Sequence, residues 1–154
     1  MNLQADAVTP IRTVADRRTR RLSPAGRASL ALLAGVGAFQ VALAAGAPWG
    51  AAAWGGAHPG VLPSQLRVSS AVSAVVYLAL GAVVRSGVVG PSTRRRILTG
   101  AAALMLVGTL ANLASPSMVE KAVWSPVAAS LAVLLWRTRR DRDDARPTEL
   151  GAAG

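Results

Sequence analysis

The sequence has no cysteine, one histidine and seven acidic residues among 154. Without cysteine there is no disulfide, no thiol nucleophile and no thiol redox couple. The single histidine, His58, has no acidic neighbour in the chain and makes a poor start for a metal site, so neither a metal nor another cofactor is expected. Aromatic residues are scarce too: four Trp, one Tyr and one Phe. Charge is thin along most of the chain. Residues 28–84 carry only Arg67 besides His58, and residues 97–136 carry only Glu120 and Lys121. A soluble domain would spread its charge more evenly.

What is present is apolar and basic. Hydrophobic residues make up 52% of the chain, and the formal net charge is +10. Such a charge raises the question of nucleic acid, which needs a basic face on a folded scaffold. Here the basic residues fall instead into three blocks, Arg12 to Arg27, Arg85 to Arg96 and Arg137 to Arg146, each flanking an apolar run. That arrangement excludes a nucleic-acid partner. It is the pattern of a polytopic membrane chain, whose partner is the lipid bilayer. Sixteen of the seventeen basic residues are Arg, in a chain rich in Ala and Gly. This is the codon signature of a GC-rich bacterial genome.

The fold expected is an all-α bundle of four transmembrane helices over 23–136, with spans at about 28–47, 67–85, 97–114 and 118–136. Helix 1 is predicted to start at Ser23 as N-cap with Pro24 first, and to end at Ala47 before Pro48. Helix 2 begins at Pro63 and is closed by Arg85 and Gly87. Helix 3 follows Gly90-Pro91, with Ser92 as N-cap, and stops at Ser115-Pro116. Ser117 and Glu120 have capping-box spacing ahead of helix 4. Pro126 within helix 4 predicts a kink. The basic tail 1–22 and the mixed-charge tail 137–154 read as disordered and cytoplasmic.

Fifteen arginines lie in the two tails and the 2–3 loop, against Arg67 and Lys121 on the other side. The excess of positive charge places both termini in the cytoplasm of a bacterial cell, with the chain in its plasma membrane. Helix 1 also has the Arg-rich start and small-residue end of a signal peptide. Its apolar run is longer than a signal's, so it is read as a retained span.

Close packing is expected along small-residue faces: Ala34, Ala38, Ala42 and Gly46 on helix 1, and Gly100, Gly108 and Ala111 on helix 3. Gln40, Ser70, Ser73, Tyr77, Thr109, Asn112, Ser125 and Ser130 are the polar residues inside the spans. They are read as interhelical hydrogen-bonding groups, with an outward-open polar pocket as the alternative.

The specific residues gather in the outer loops. Trp49 and Trp54, five apart and closed by Gly55-Gly56, predict a short helix lying in the membrane interface, the depth that Trp prefers. Trp124 and Trp136 mark the two ends of helix 4. Arg67 and Glu120 lie at the outer ends of helices and are expected to pair. Trp49, Trp54, His58, Arg67, Asn112, Glu120 and Trp124 form the candidate outer-face binding or structural cluster.

The string Gly46-Ala47-Pro48-Trp49-Gly50, then Trp54-Gly55-Gly56 and His58, then Leu62-Pro63 with Leu66-Arg67 and Ser70, resembles a family of small uncharacterised bacterial four-span membrane proteins. Asn112, Ser115, Ser117, Glu120, Trp124 and Pro126 fit the same pattern. The likeness covers roughly residues 28–136 and excludes both tails. It implies the four-span topology and points to the outer loops, but brings no chemistry with it.

Three functions compete at this level. The preferred one is non-enzymatic binding of a protein partner or a lipid-like ligand. The second is a small dimeric transporter or facilitator, which lacks an acid deep in a span. The third is an enzyme with an outward-facing site near Arg67 and Glu120, with His58 as a further titratable group. A homo-oligomer or another membrane protein is the macromolecular partner expected.

Overall fold

The structure is a computed structural model and describes residues 22–85 and 88–141. The expected tails fall mostly outside the described residues, as does Gly87. Among the described residues there is no strand. The helices are α1 (Pro24–Ala45), α2 (Ser64–Arg85), α3 (Pro91–Ala114) and α4 (Ser125–Thr138). A π-helical turn, Glu120–Trp124, leads without a break into α4. Three of the four, α1, α2 and α3, are long and apolar enough to cross a membrane.

Local chemistry sets the helix ends. Ser23 Oγ accepts the Gly26 N–H at 2.9 Å, and Pro24 takes the first helical position, where its missing N–H costs nothing. α1 ends two residues short of the expected Ala47. Gly46 has φ 99°, a left-handed conformation open to glycine, and its N–H reaches back to Ala42 and Leu43. α3 starts at Pro91 with Gly90 as N-cap, not at Ser92: proline at N1 is pre-set for the first turn. It stops because Ser115, extended at ψ 146°, precedes Pro116, which disfavours helical backbone before it.

The expected kink at Pro126 takes the form of the π turn. Ser125 N–H reaches Glu120 O, and Ser125 Oγ donates to the same carbonyl at 3.3 Å. The widened turn lets the chain pass a proline without breaking the helix. The capping box is half formed. The Glu120 N–H meets Ser117 Oγ at 3.4 Å, while the Glu120 carboxylate goes elsewhere.

Consecutive helices run antiparallel. α1 packs on α2 and α4, and α3 packs on α4, whereas α2 and α3 touch little. One end of the bundle is basic. There Arg94, almost wholly buried, donates from Nε to Val83 O at 3.3 Å and from Nη1 to Thr138 O at 3.0 Å. It thus caps the C-terminal ends of α2 and α4, where a cation also suits the helix dipole. Arg139 lies 3.2 Å over the Trp136 ring and donates to Thr99 Oγ1. Ser23 donates to Asp141, which sets a carboxylate beside the start of α1.

Toward this basic end lies the main core: Leu33, Val36, Val84, Leu98, Ala101, Ala102, Leu131 and Leu135. A smaller one, Leu43, Ala53 and Leu62, sits at the loop end with Phe39 and Leu66 against it. The exterior is apolar. Val68, Val72, Val75 and Leu78 of α2 and Leu104, Val107 and Leu110 of α3 are exposed, while Ser70, Arg94, Thr109 and Glu120 are buried. Large apolar side chains outside and polar ones inside reverse the order of a soluble protein.

The small-residue faces do not form the seams expected of them. Ala34 and Ala38 are exposed, and nothing lies within 4 Å of a Cβ added at Gly100 or Gly108. The α1–α2 contact uses Gly37 instead, where an added Cβ would stand 3.7 Å from Tyr77 Cβ, and Gly81, 3.7 Å from Leu30. Gly37→Ala should therefore be tolerated, whereas Gly37→Leu should wedge α1 from α2 and cost about 1–3 kcal/mol. Ala38→Leu should change the denaturation midpoint in detergent little. A larger loss from Ala38→Leu than from Gly37→Leu would place the seam on the other face.

Candidate functional site

The 47–63 connection folds over the loop end of the bundle as a lid. Two single-turn 3₁₀ helices, Gly50–Ala52 and Trp54–Gly56, stand where one short interfacial helix was expected. The reason is local. Ala53, extended at φ -146° and ψ 158°, ends the first turn, and Trp54 (φ 54°), Gly55 (φ 77°) and Gly56 (φ 71°) of the second are all left-handed, which stops a right-handed helix from continuing. A bulky residue such as Trp54 takes that conformation only when its surroundings hold it there.

The lid is tied to three helical segments. Trp54 Nε1 donates to Ser70 Oγ of α2 at 3.3 Å. The Gly55 N–H donates to Glu120 Oε1 at 2.7 Å, and Trp124 Nε1 to Ala52 O at 2.7 Å. Trp49 stacks on Phe39 of α1 with centroids 6.0 Å apart, and Phe39 meets Trp124 at 4.6 Å. Gly50 lies so close to the return strand of the loop that its N–H bonds Gly60 O at 2.9 Å.

Beneath the lid is a cavity of about 410 Å³, within the range of about 300–1,000 Å³ that small-molecule sites occupy. Its floor is Val36, Met105, Val127 and Leu131 from the main core and its margin. Its polar groups are Gln40, Ser73, Tyr77, Asn112 and Glu120, and Trp54 and Trp124 stand at the lid side. Gln40 Oε1 is buried with no hydrogen-bond partner. α2 and α3 both line the space and touch each other little.

Of the seven residues singled out from sequence, Trp54, Asn112, Glu120 and Trp124 line this cavity. Trp49 backs it through Phe39. His58 is exposed in the loop, away from the cavity. Arg67 is also outside it, and its Nε donates to Ala44 O at 3.0 Å beside Gly46. It caps the end of α1, a frequent role for a basic side chain. The expected Arg67–Glu120 pair is replaced by separate partners. The two should then be energetically independent: Arg67→Ala and Glu120→Gln should add within about 0.5 kcal/mol in a double-mutant cycle. A coupling well above that would restore the pair.

The polar residues of the spans mostly bond within their own helices. Ser69 donates to Gln65 O, Ser73 to Ser69 O and Thr109 to Met105 O, each a one-turn back-bond. Ser29 and Thr138 approach each other across α1 and α4 at 3.4 Å. Phe39 and Met105, like Val36, Val127 and Leu131, line the cavity with no signal in the sequence, because an apolar residue in an apolar span looks like any other.

Helical structure, an apolar exterior and three membrane-length helices define an all-helical membrane protein. No family model, no curated protein and no solved structure matches the chain.

Proposed function

We propose that the chain is a four-span protein of the bacterial plasma membrane that binds a small lipid-like ligand in the cavity beneath its lid, without covalent chemistry. It would belong with the small four-span proteins that its loop motifs resemble. The fourth span is the unbroken helical run 118–138, whose 21 residues (118 through 138) would cover about 31 Å at 1.5 Å per residue. Among the described residues, the basic side chains other than Arg67 and Lys121 lie at one end of the bundle, which supports a cytoplasmic basic end and an exported lid. A cleft lined by Arg95, Arg96, Thr99 and Arg139 at that end suits anionic headgroups.

The observation that carries the binding reading is the cavity itself: an aromatic and polar space with an orphan acceptor, covered by a lid and lined by all four helices. The enzyme reading loses its support, since His58, Arg67 and Glu120 do not converge. A small cation facilitator is the second reading, favoured by one observation: the Glu120 carboxylate reaches into the bundle, although its helix position is terminal.

Reporter fusions at His58 and at the C-terminus test the topology, and an exported C-terminus would overturn it. Gentle purification and native mass measurement test the binding. A constant increment above the 15.7 kDa chain supports a bound ligand. A bare chain from every lipid background counts against one, and ion flux in liposomes would then favour the facilitator.

A further inference from the structure

We infer that the ligand of this cavity is an amphipathic amine, bound through its ammonium group by Glu120; the inference rests on the binding reading above. Three observations converge. The first is charge. Glu120 is the sole acidic residue between the two tails, and its side chain is buried at the cavity. Oε1 takes the Gly55 N–H at 2.7 Å, and among the described residues Oε2 has no partner. No Arg or Lys lines the cavity, and Arg67 is engaged at the end of α1. One N–H leaves the carboxylate charge without a cation on the cavity wall; such a group favours a cationic ligand. The same absence of lining cations disfavours a ligand that would enter the cavity by a phosphate or carboxylate group.

The second is the wall. Trp54, Tyr77 and Trp124 line the cavity together with Phe39. Aromatic faces around a carboxylate attract an organic cation by their quadrupoles as well as by apolar contact. The third is hydrogen bonding. Gln40 Oε1 is a buried acceptor in need of a donor. An ammonium N–H supplies one and a quaternary ammonium does not, so the pairing favours an amine with hydrogens left on nitrogen. The outer faces of α2 and α3, which line the cavity and touch each other little, are apolar, which suits a ligand whose body partitions into lipid. The shared chemistry could come from a free hydrophobic amine or from the aminoethyl headgroup of a phospholipid.

The test uses the full chain in phosphatidylcholine nanodiscs, with empty nanodiscs as blank, and titration calorimetry with three probes of one shape: 4-phenylbutylamine, 4-phenylbutanol and 4-phenylbutyrate. Saturable amine binding, at least about tenfold tighter than the alcohol, with no binding of the acid, is the expected result. Glu120→Gln should erase the amine's advantage and leave the alcohol's affinity unchanged, while Glu120→Asp should retain part of it. If amine and alcohol bind alike, the carboxylate is not read and the amine assignment falls, though the cavity still binds. If none of the three binds saturably, both readings fall. Repeating the titration in phosphatidylethanolamine nanodiscs separates the sources of the amine. Loss of amine binding there supports the proposal with the lipid headgroup as ligand; unchanged binding supports it with a free amine.

Discussion

Gly50→Ala is expected to unseat the lid. A Cβ at position 50 would stand 2.1 Å from the backbone O of His58, and 2.9 Å from both Gly60 O and Leu62 Cδ2. Backbone carbonyls cannot rotate aside as a side chain would, so the 50–60 turn must open. The Gly50 N–H to Gly60 O bond is lost with it. Overpacking and the lost bond together should cost about 2–4 kcal/mol. The cost should be local, because the lid is held to the bundle by a few bonds at its rim. Hydrogen exchange should rise for amides 50–60, and not along α1 to α4. Trp54 and Trp124 should report the same event as a red-shifted emission. Gly100→Ala is the control: open space surrounds it, and the helix propensity of alanine should make it neutral or slightly stabilising. A Gly50→Ala protein whose lid amides stay protected would mean that the loop does not close on itself at this point.

The second large effect is expected at the other end. Arg94 is 3% exposed and serves the carbonyls that end α2 and α4. Arg94→Met keeps length and apolar packing but leaves Val83 O and Thr138 O without this donor. At least these two charge-assisted hydrogen bonds are lost, so destabilisation of about 3–5 kcal/mol is expected in detergent unfolding. Arg94→Lys should lose about half as much, because an ammonium is a point donor and cannot span two carbonyls as a planar guanidinium does. Arg95 and Arg96 are exposed neighbours on the same helix, and replacing either should move the midpoint by less than about 0.5 kcal/mol. Equal losses at all three positions would show that bulk positive charge, not the clamp, holds the basic end together.

These two residues also show how sequence and structure divide the account. Arg94 sits in a run of three arginines, and nothing in the run sets it apart. Helical periodicity turns one of the three inward, and packing against α4 decides which. Gly50 lies in a loop with five other glycines or prolines between 48 and 60, and only the fold-back onto His58 and Gly60 makes it irreplaceable by alanine. The α1 seam gives the same lesson in reverse. Ala34, Ala38, Ala42 and Gly46 make a regular face, but α1 turns Gly37 toward Tyr77 instead. The large residues Leu33, Val36 and Leu43 have to be buried, and they fix the rotation of the helix.

Helical class, the placement of three apolar helices and a fourth, the gathering of basic residues at one end and of Trp49, Trp54 and Trp124 at the other were all legible in the chain. They depend on local composition and on the length a helix needs to cross an apolar layer, and these are one-dimensional properties. So were the start of α1 at Ser23-Pro24 and the end of α3 at Ser115-Pro116, which act through their own backbone preferences, whereas the end of α1 at Gly46 and the Gly90 cap of α3 were each read about two residues late. The cavity was not. Glu120 and Gly55 are separated by 65 residues, and Phe39, Tyr77 and Trp124 come from three different helical segments. Which of them share a space follows from how α1 to α4 rotate and dock. A buried carboxylate and a helix-end carboxylate are the same letter in the sequence. Only tertiary packing, by closing a lid over one of them and sending Arg67 elsewhere, made Glu120 the charged group of the cavity.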